Sequence, residues 1–371
     1  MKILITGANG FVGKNLQVNL KQRAGTELLL FDLPQTIEDL RALVRQADFV
    51  FHLAGVNRPE DAEEFHSGNA VLTKSLVEML EEENRAVPLV LSSSTQARLD
   101  NPYGLSKKEA EEVVFSYAKK TGAPVYVYRF PNVFGKWCRP NYNSVVATFC
   151  HNAANQIPLR IDDASKELTL LYIDDICTEF QKILDGEVPH SADSFVEAAP
   201  AYAISLGALA NMITGFAESR QTLNLEYSLS DALTKKLFAT FMSYAPKNAL
   251  AVTADMKRDG RGYFAELIRS PDFGQISISR TKPGVTRGNH WHSTKLEKFV
   301  VVEGDAVIRL RKIGSDEVIE YSVSGNEIKI VDMPPGYAHS IENVGSIDVL
   351  TIFWAGEIFN PENPDTIFET V

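Results

Sequence analysis

Lys2-Ile3-Leu4-Ile5-Thr6-Gly7-Ala8-Asn9-Gly10-Phe11-Val12-Gly13 decides how the first half of the chain is read. A short apolar run that enters spaced glycines directly is the pattern of a buried strand, a tight turn and a helix. Glycine at 7, 10 and 13 lets the backbone turn sharply, approach a pyrophosphate closely and pack the helix against the sheet, with the helix N-terminus facing the phosphates. Gly7, Asn9, Gly10, Phe11, Val12 and Gly13 are therefore candidates to bind a dinucleotide. The next apolar run, Glu27 to Phe31, ends at Asp32, whose carboxylate can accept hydrogen bonds from adenosine ribose hydroxyls, which favours NAD. Leu33-Pro34-Gln35 supplies no arginine for a 2'-phosphate, leaving Arg41 and Arg58 as the candidates for that contact.

Asp48 to Leu53 predicts another buried strand, running into His52-Leu53-Ala54-Gly55, and Pro88 to Leu91 a further one, ending in Ser92-Ser93-Ser94. Helical segments around 36–46, 69–84 and 104–120 lie between or after them. This alternation predicts an α/β fold, a doubly wound parallel sheet of Rossmann type with its site at the strand C-termini, where Leu53, Ala54 and Gly55 join the cofactor-binding candidates.

The chain has 371 residues, 44% of them hydrophobic and 23% charged, enough for two or three domains with large cores. A formal charge of -11 argues against nucleic acid or an anionic membrane as the main partner. Cys138, Cys150 and Cys177 form no Cys-x-x-Cys pair and suit a reducing compartment, and no apolar run approaches spanning length. Together with the absence of a cleavable leader pattern, this predicts a cytoplasmic protein.

Asn101-Pro102-Tyr103-Gly104-Leu105-Ser106-Lys107 sets a tyrosine and a lysine one helical turn apart, so that on a helix they share a face. There the ammonium can lower the pKa of the phenol, which passes a proton to or from a substrate oxygen while a nicotinamide passes hydride.

The glycine loop, the His-Leu-Ala-Gly strand end, the serine run and Pro-Tyr-Gly-Leu-Ser-Lys together resemble an extended short-chain dehydrogenase/reductase. The resemblance implies that Tyr103 is the acid/base, that Lys107 orients the nicotinamide ribose, and that Ser94, with Ser93 as the fallback, hydrogen-bonds the substrate oxygen. Arg129-Phe130-Pro131-Asn132-Val133-Phe134-Gly135 resembles the segment that faces the sugar, which makes Asn132 a substrate contact. The lobe from about 135 to 240 would hold a nucleoside diphosphate, with Arg139 or Arg160 meeting its phosphates. Sugar 4,6-dehydratases of this family carry an Asp-Glu pair directly after the catalytic Ser/Thr. Here Thr95 and Gln96 stand in its place, which leaves water elimination without an acid and a base and favours a reductase or epimerase.

Tyr244-Ala245-Pro246-Lys247-Asn248 reads as the end of the first domain, 1–245, followed by a connector and a second domain, 252–371. Short runs rich in Val, Ile, Phe and Thr follow, at Gln275–Ser279, Phe299–Val302, Val307–Arg311, Glu327–Val331 and Val349–Trp354. They predict an all-β barrel or jelly roll. His290 and His292 share a face if they lie on a strand, and can converge with Glu297 and His339 on one divalent ion, with zinc, iron, nickel and manganese all suited to three nitrogens and a carboxylate. The two segments that carry these residues resemble the cupin signature, although Ile328 stands where the second segment's leading glycine is expected. Arg258 to Glu266 and Arg287 to His290 also resemble dTDP-4-keto-sugar 3,5-epimerases. Those work without metal and use the histidine matching His290 as base, so His290 is either ligand or base. Arg261 and Glu266 are substrate candidates on the same resemblance.

Both halves in this order resemble the bifunctional capsular polysaccharide UDP-sugar epimerase/reductases of the CapF type. The resemblance implies C3 epimerisation of a UDP-4-keto-6-deoxy-N-acetylhexosamine in the cupin. NADPH-dependent C4 reduction would then give UDP-N-acetyl-6-deoxy-talosamine, on the route to UDP-N-acetyl-L-fucosamine. It further implies NADP(H), with NAD(H) as the alternative that Asp32 favours, one divalent metal with zinc as first choice, and a homodimer. Lys298 and Tyr337 are next in line as cupin catalytic residues. The rival reading is a monofunctional nucleotide-sugar reductase or epimerase whose cupin only binds or dimerises.

Overall fold

The computed structural model describes all residues except 60, 191–193, 223–226, 254–256, 260–261, 265–274 and 358–361, with backbone alone at 222, 257–259, 262–264, 275 and 277. Arg261 and Glu266 lie outside the described residues.

β1 (Lys2–Thr6) is buried from Ile3 onward, and the chain turns at Gly7 into α1 (Phe11–Leu20). β2 (Glu27–Phe31) pairs parallel with one side of β1; after α2 (Ile37–Val44), β3 (Phe49–His52) pairs parallel with the other. A short α3 (Glu63–Phe65), a π-helical turn at His66–Val71 and α4 (Leu72–Glu82) lead to β4 (Leu89–Ser94). Then come α5 (Pro102–Thr121), β5 (Val125–Phe130), β6 (Asn132–Phe134), α6 (Val145–Ala154), β7 (Glu167–Tyr172), α7 (Ile173–Leu184), β8 (Phe195–Val196) and β9 (Ala201–Ser205).

The parallel sheet runs β2-β1-β3-β4-β5-β8. Strand order reverses between β1 and β3, so a crevice opens beyond their C-terminal ends, which is where such sheets bind ligands. Gly7 sits there with a positive φ of +68°, and a Cβ on it would lie 2.6 Å from the Ala54 nitrogen, so no larger residue fits. Leu4, Val50, Leu89 and Val127 form the core beneath with residues of α2, α4 and α5, each fully buried side chain contributing about 1.5–3 kcal/mol. His52 is a bolt in this core. Its ring bridges the Thr6 hydroxyl (2.7 Å) and the Thr73 hydroxyl (2.8 Å), and burial, helped by Lys107, pushes it down to about 3, so it is uncharged.

After α8 (Leu206–Thr222) and α9 (Ala232–Met242) the chain becomes all-β: β10 (Ala251–Thr253), β11 (Lys257–Asp259), β12 (Gly262–Phe264), β13 (Gln275–Thr281), β14 (Thr286–Trp291), β15 (Glu297–Glu303), β16 (Asp305–Lys312), β17 (Val318–Ser324), β18 (Lys329–Met333), β19 (Tyr337–Asn343), β20 (Val349–Ala355) and β21 (Ile367–Phe368). Two antiparallel sheets, β10-β18-β15-β20-β13 and β17-β16-β19-β14-β21, make the jelly roll. Alternate residues from both, among them Phe299, Val301, Ile308, Leu310, Val331, Met333 and Ile341, fill one core.

By contacts the described residues form two units, Met1–Phe134 with Tyr142–Ser144 and Leu168–Ala203, and Gly135–Asn141 with Val145–Glu167 and Ile204–Val371. This grouping departs from chain order, in which a boundary near 245 is expected. Inside the second unit the physical reason is a set of polar ties from the helices to the barrel. The Asp332 carboxylate on β18, fully buried, is held by Arg220 of α8 and by Lys298 of β15, while Arg220 also donates to the Ala249 carbonyl (2.7 Å). Lys235 of α9 pairs with Glu357, and the Tyr244 hydroxyl donates to the Cys138 carbonyl.

Asp332→Ala is expected to leave two cations buried face to face and to destabilise the protein by roughly 3–5 kcal/mol, read as a lowered thermal midpoint. An unchanged midpoint would show that Arg220 and Lys298 do not depend on this carboxylate.

Candidate active site and metal centre

In the first unit the candidate residues gather where the strands end. The Asp32 carboxylate closes the glycine loop by accepting the Asn9 N–H (2.6 Å) and the Leu33 N–H (2.8 Å). Arg41 is paired with Glu82, and Arg58 donates to the Tyr142 carbonyl, so each of these two candidates for a 2'-phosphate has a protein partner.

Asn101 caps α5 by accepting the Gly104 N–H (2.8 Å), and Pro102 supplies the first helical residue, where no donor is needed. Tyr103 and Lys107 therefore start one helical face. Gly104 is forced by proximity, since a Cβ there would lie 2.4 Å from the carbonyl oxygens of Gln96 and Leu99 in the turn that follows β4. That turn, Thr95–Arg98, begins at Ser94. Its shortness leaves the Ser94 side chain near enough to Tyr103 to act on the phenol's pKa. Ser93 points the other way, into the protein, where its hydroxyl donates to Glu111.

The phenol differs from the expectation. Burial raises the Tyr103 pKa above its ordinary value, with the Ser94 side chain opposing, so the group holds its proton rather than losing it. Lys107 is buried too, its ammonium donating to the Ser92 carbonyl (3.2 Å), and burial pushes it down to about 8 while Glu111 pulls the other way. Phe65 packs against the Tyr103 ring, with centroids 5.4 Å apart.

Two residues here escaped the sequence reading. Buried Asn69 binds both backbone groups of Val56 (3.0 and 2.9 Å) and the Ser106 hydroxyl (3.1 Å), and at Gly55 a Cβ would meet Asn69 Oδ1 at 2.7 Å and Lys107 Nζ at 2.9 Å. Gly55 thus leaves the space in which these side chains approach β3's end. Buried Glu111, one turn past Lys107, accepts from the Ser93 hydroxyl and from both Nε (2.9 Å) and Nη2 of Arg129. A polar residue at a buried helical position was the available signal for both.

Three imidazoles and a carboxylate meet in the barrel. His290 is on β14, His292 just past its end, Glu297 opens β15 and His339 is on β19, and one ligand atom from each lies within 4.8 Å of all the others. The tautomers follow from the backbone. The Asp365 carbonyl near His292 Nδ1 and the Tyr337 carbonyl 3.3 Å from His339 Nδ1 can only accept, so both Nδ1 atoms carry the proton. The lone pairs on the two Nε2 atoms then face Glu297 Oε2, at 3.3 and 3.4 Å. Both Nε2 atoms are buried and without a hydrogen-bond partner. Acceptors converging on an acceptor fit a cation, and the donor set suits a divalent transition metal such as zinc. Burial pushes His290 down to about 4, with His339 and His292 adding to the effect, and burial likewise lowers His339, so both rings are neutral and able to coordinate at pH 7.

The remaining candidates are dispersed. Lys298 follows Glu297 on a strand, so it faces the opposite side of β15, where it pairs with Asp332. Tyr337 shares the face of His339 by the two-residue repeat of β19 and is half-buried. The Asn132 amide donates to the Thr169 carbonyl (3.2 Å), bracing β6 against β7. Arg139 is exposed, and Arg160 pairs on the surface with Asp162 (3.0 Å).

Residues 3–192 match the family model described as NAD dependent epimerase/dehydratase family, and residues 257–367 match that of the polysaccharide biosynthesis C-terminal domain. The chain is 46% identical to the UDP-2-acetamido-2,6-beta-L-arabino-hexul-4-ose reductase of Pseudomonas aeruginosa, over 99% of this chain and 98% of that protein. It matches a crystal structure of the capsular polysaccharide assembling protein CapF from Staphylococcus aureus with a TM-score of 0.69 and 43% identity over 100% of both chains. It also matches CapF with the inhibitor 3-isopropenyl-tropolone, at a TM-score of 0.63 and 39% identity, again over 100% of both chains. The likeness to UDP-glucuronic acid 4-epimerase of Bacillus cereus, with a TM-score of 0.57, 18% identity, and 66% of this chain and 99% of that one covered, is one of fold.

The dialysed protein is expected to retain or take up one divalent ion per chain, measured by elemental analysis. His339→Ala should lose it, and equal metal content in the two proteins would remove this cluster as the site.

Proposed function

The chain belongs to the NAD-dependent epimerase/dehydratase family and, end to end, to the CapF-type enzymes that join such a domain to a cupin, and from that premise we propose that it carries two activities on one sugar nucleotide. It is a nucleotide-sugar reductase/epimerase of polysaccharide biosynthesis that depends on NAD(P). The finer reading is C3 epimerisation of a UDP-4-keto-6-deoxy-N-acetylhexosamine in the barrel and reduction of its C4 ketone in the first unit. The product is UDP-N-acetyl-6-deoxy-talosamine, on the route to UDP-N-acetyl-L-fucosamine.

The observation that carries the reductase is Tyr103, beside Ser94, one turn before Lys107, and kept protonated by burial. The Gly7–Gly13 loop would hold NAD(P)H, which would supply the hydride for C4. The phenol gives its proton to the C4 oxygen as the C4–H bond forms, and Ser94 holds phenol and oxygen in line. Lys107 contributes a positive charge beside them and, with Asn69, fixes the floor at Gly55. Asp32 supports NADH and the CapF-type resemblance supports NADPH; we adopt NADPH, and the ratio of kcat/KM for the two nucleotides tests that choice.

In the barrel, His290, His292, Glu297 and His339 would hold the divalent ion, which would stabilise negative charge developing on the C4 oxygen as C3 loses its proton. The ketone acidifies C3, so inversion must precede reduction, and hydride delivery then traps the new configuration. Likeness to a CapF structure that carries a tropolone, a class of oxygen chelator, supports a metal here. Among the described residues no helix is long and apolar enough to cross a membrane. A cytoplasmic setting, in keeping with three cysteines that form no disulfide, and a homodimer complete the proposal.

Deuterium uptake at C3 in D2O without NADPH, followed by NADPH oxidation, tests the reading. Wild type should do both, Tyr103→Phe should exchange but lose reduction by about 100-fold or more, and His290→Ala/His339→Ala should not exchange. Exchange that survives the double substitution would place the base elsewhere, with Lys298 and Tyr337 first in line, and no exchange by wild type would favour a cupin that only binds or dimerises.

The pH dependence follows from Lys107. Its ammonium is present below its pKa of about 8 and lost above it, so kcat/KM for reduction is expected to fall on the alkaline side from about pH 8. Lys107→Arg should move that limb upward, whatever its effect on the plateau, and a limb that stays in place would assign it to another group.

A further inference from the structure

Between the metal-cluster residues His292 and Glu297 the chain makes a tight loop whose amides need an acceptor. A single carboxylate supplies it. Asp365 Oδ1 accepts the Ser293 N–H (2.8 Å), and Oδ2 accepts the N–H groups of Thr294 (2.7 Å) and Lys295 (2.7 Å) together with the Thr294 hydroxyl (3.1 Å). The same residue's backbone carbonyl takes the proton of His292 Nδ1. Next along the chain, Thr366 accepts from Lys295 Nζ (3.1 Å), and β21 pairs with β14 so that Phe368 lies opposite His290. The Glu369 N–H then reaches the Asn289 carbonyl (2.9 Å), and Arg311 holds the Glu369 carboxylate (2.8 Å).

One short segment thus sets the ring orientation of one ligand, the length of the loop from that ligand to Glu297, and the strand that carries another. Outer partners of this kind fix the tautomer and direction of ligating histidines, and their loss typically weakens metal binding ~10- to 100-fold.

Resting on the metal-site reading above, we propose that Asp365 is a positioning residue of the cluster: its carboxylate pins the 293–295 loop so that its carbonyl can hold His292 with the Nε2 lone pair aimed at the ion. Asp365→Asn is the sharp substitution. It keeps the size, but turns one oxygen into an NH2 that must face at least one backbone N–H, donor against donor.

The test uses full-length protein stripped of metal and titrated with Co(II), whose visible bands report the coordination sphere, with affinity measured against a competing chelator. NADPH binding and the thermal midpoint of the metal-free proteins are measured alongside. Wild type should bind one Co(II), and His292→Ala should lose it. Asp365→Asn should bind ~10- to 100-fold more weakly with a shifted Co(II) spectrum, with a metal-free midpoint lowered by the donor clash and NADPH binding near wild type. Thr294→Val, which removes one donor from the same carboxylate, should shift the spectrum less and in the same direction; should Asp365→Asn fail to fold, this variant carries the test. A wild-type affinity and spectrum in the altered proteins would overturn the positioning role. So would a weaker affinity with an unshifted spectrum and a lowered metal-free midpoint, which would make Asp365 a structural staple only. Failure of wild type to bind Co(II) would instead strike the metal-site reading itself, and the proposal with it.

Discussion

Two imidazole lone pairs and a carboxylate oxygen, 3.3 and 3.4 Å apart and nearly out of reach of water, repel one another unless something positive lies among them. The barrel is arranged to impose that repulsion. Pairing of β14 with β19 sets His290 directly opposite His339, and the Phe299 ring stands edge-on to His339 at 5.5 Å, closing the apolar side. Two backbone carbonyls fix the protons on the far ring nitrogens, so the rings cannot relieve the strain by turning a donor inward. What is left is a site complementary to a cation.

Burial does chemical work of opposite sign in the two units. It keeps the Tyr103 phenol protonated, as the proton donor proposed above would need to be. It keeps His290 and His339 unprotonated, as groups that must offer lone pairs should be. One cause, removal of water, suppresses charge in both places, and the native neutral form of each side chain decides whether the outcome is an acid or a ligand.

Much of this was legible in the chain. Apolar runs marked β1 to β4 because parallel strands are buried on both faces, and the glycine loop, Asp32, Tyr103 and Lys107 lie where their spacing put them. The histidine quartet was legible for the same reason. β14 was not, since Thr-Arg-Gly-Asn-His-Trp has no apolar alternation, and its irregularity between Gly288 and His290, with Asn289 at φ 58°, breaks the two-residue repeat. Nor was Asp365: it acts on backbone amides far away in sequence, which no local pattern encodes. Ser94 was preferred to Ser93 on the resemblance alone, and the turn after β4 supplies the physical difference, with Ser93 directed to Glu111 and Ser94 to Tyr103. An amphipathic helix announces that it buries a face, but not against which sheet, which is why α8 and α9 read as part of the first half.

Arg220 comes from the half of the chain that reads as dehydrogenase, yet its charge is paired on the barrel sheet, on the face of β15 and β18 that points away from the histidine cluster. Had a finished cupin been appended at the compositional break near 245, Asp332 would be buried opposite an arginine that came with a different ancestor. Either the fusion is old enough for the ion cluster to have grown across it, or the heritable module begins upstream of the break. In both cases a piece that begins at 245 would carry Asp332 and Lys298 without the arginine that pairs with them.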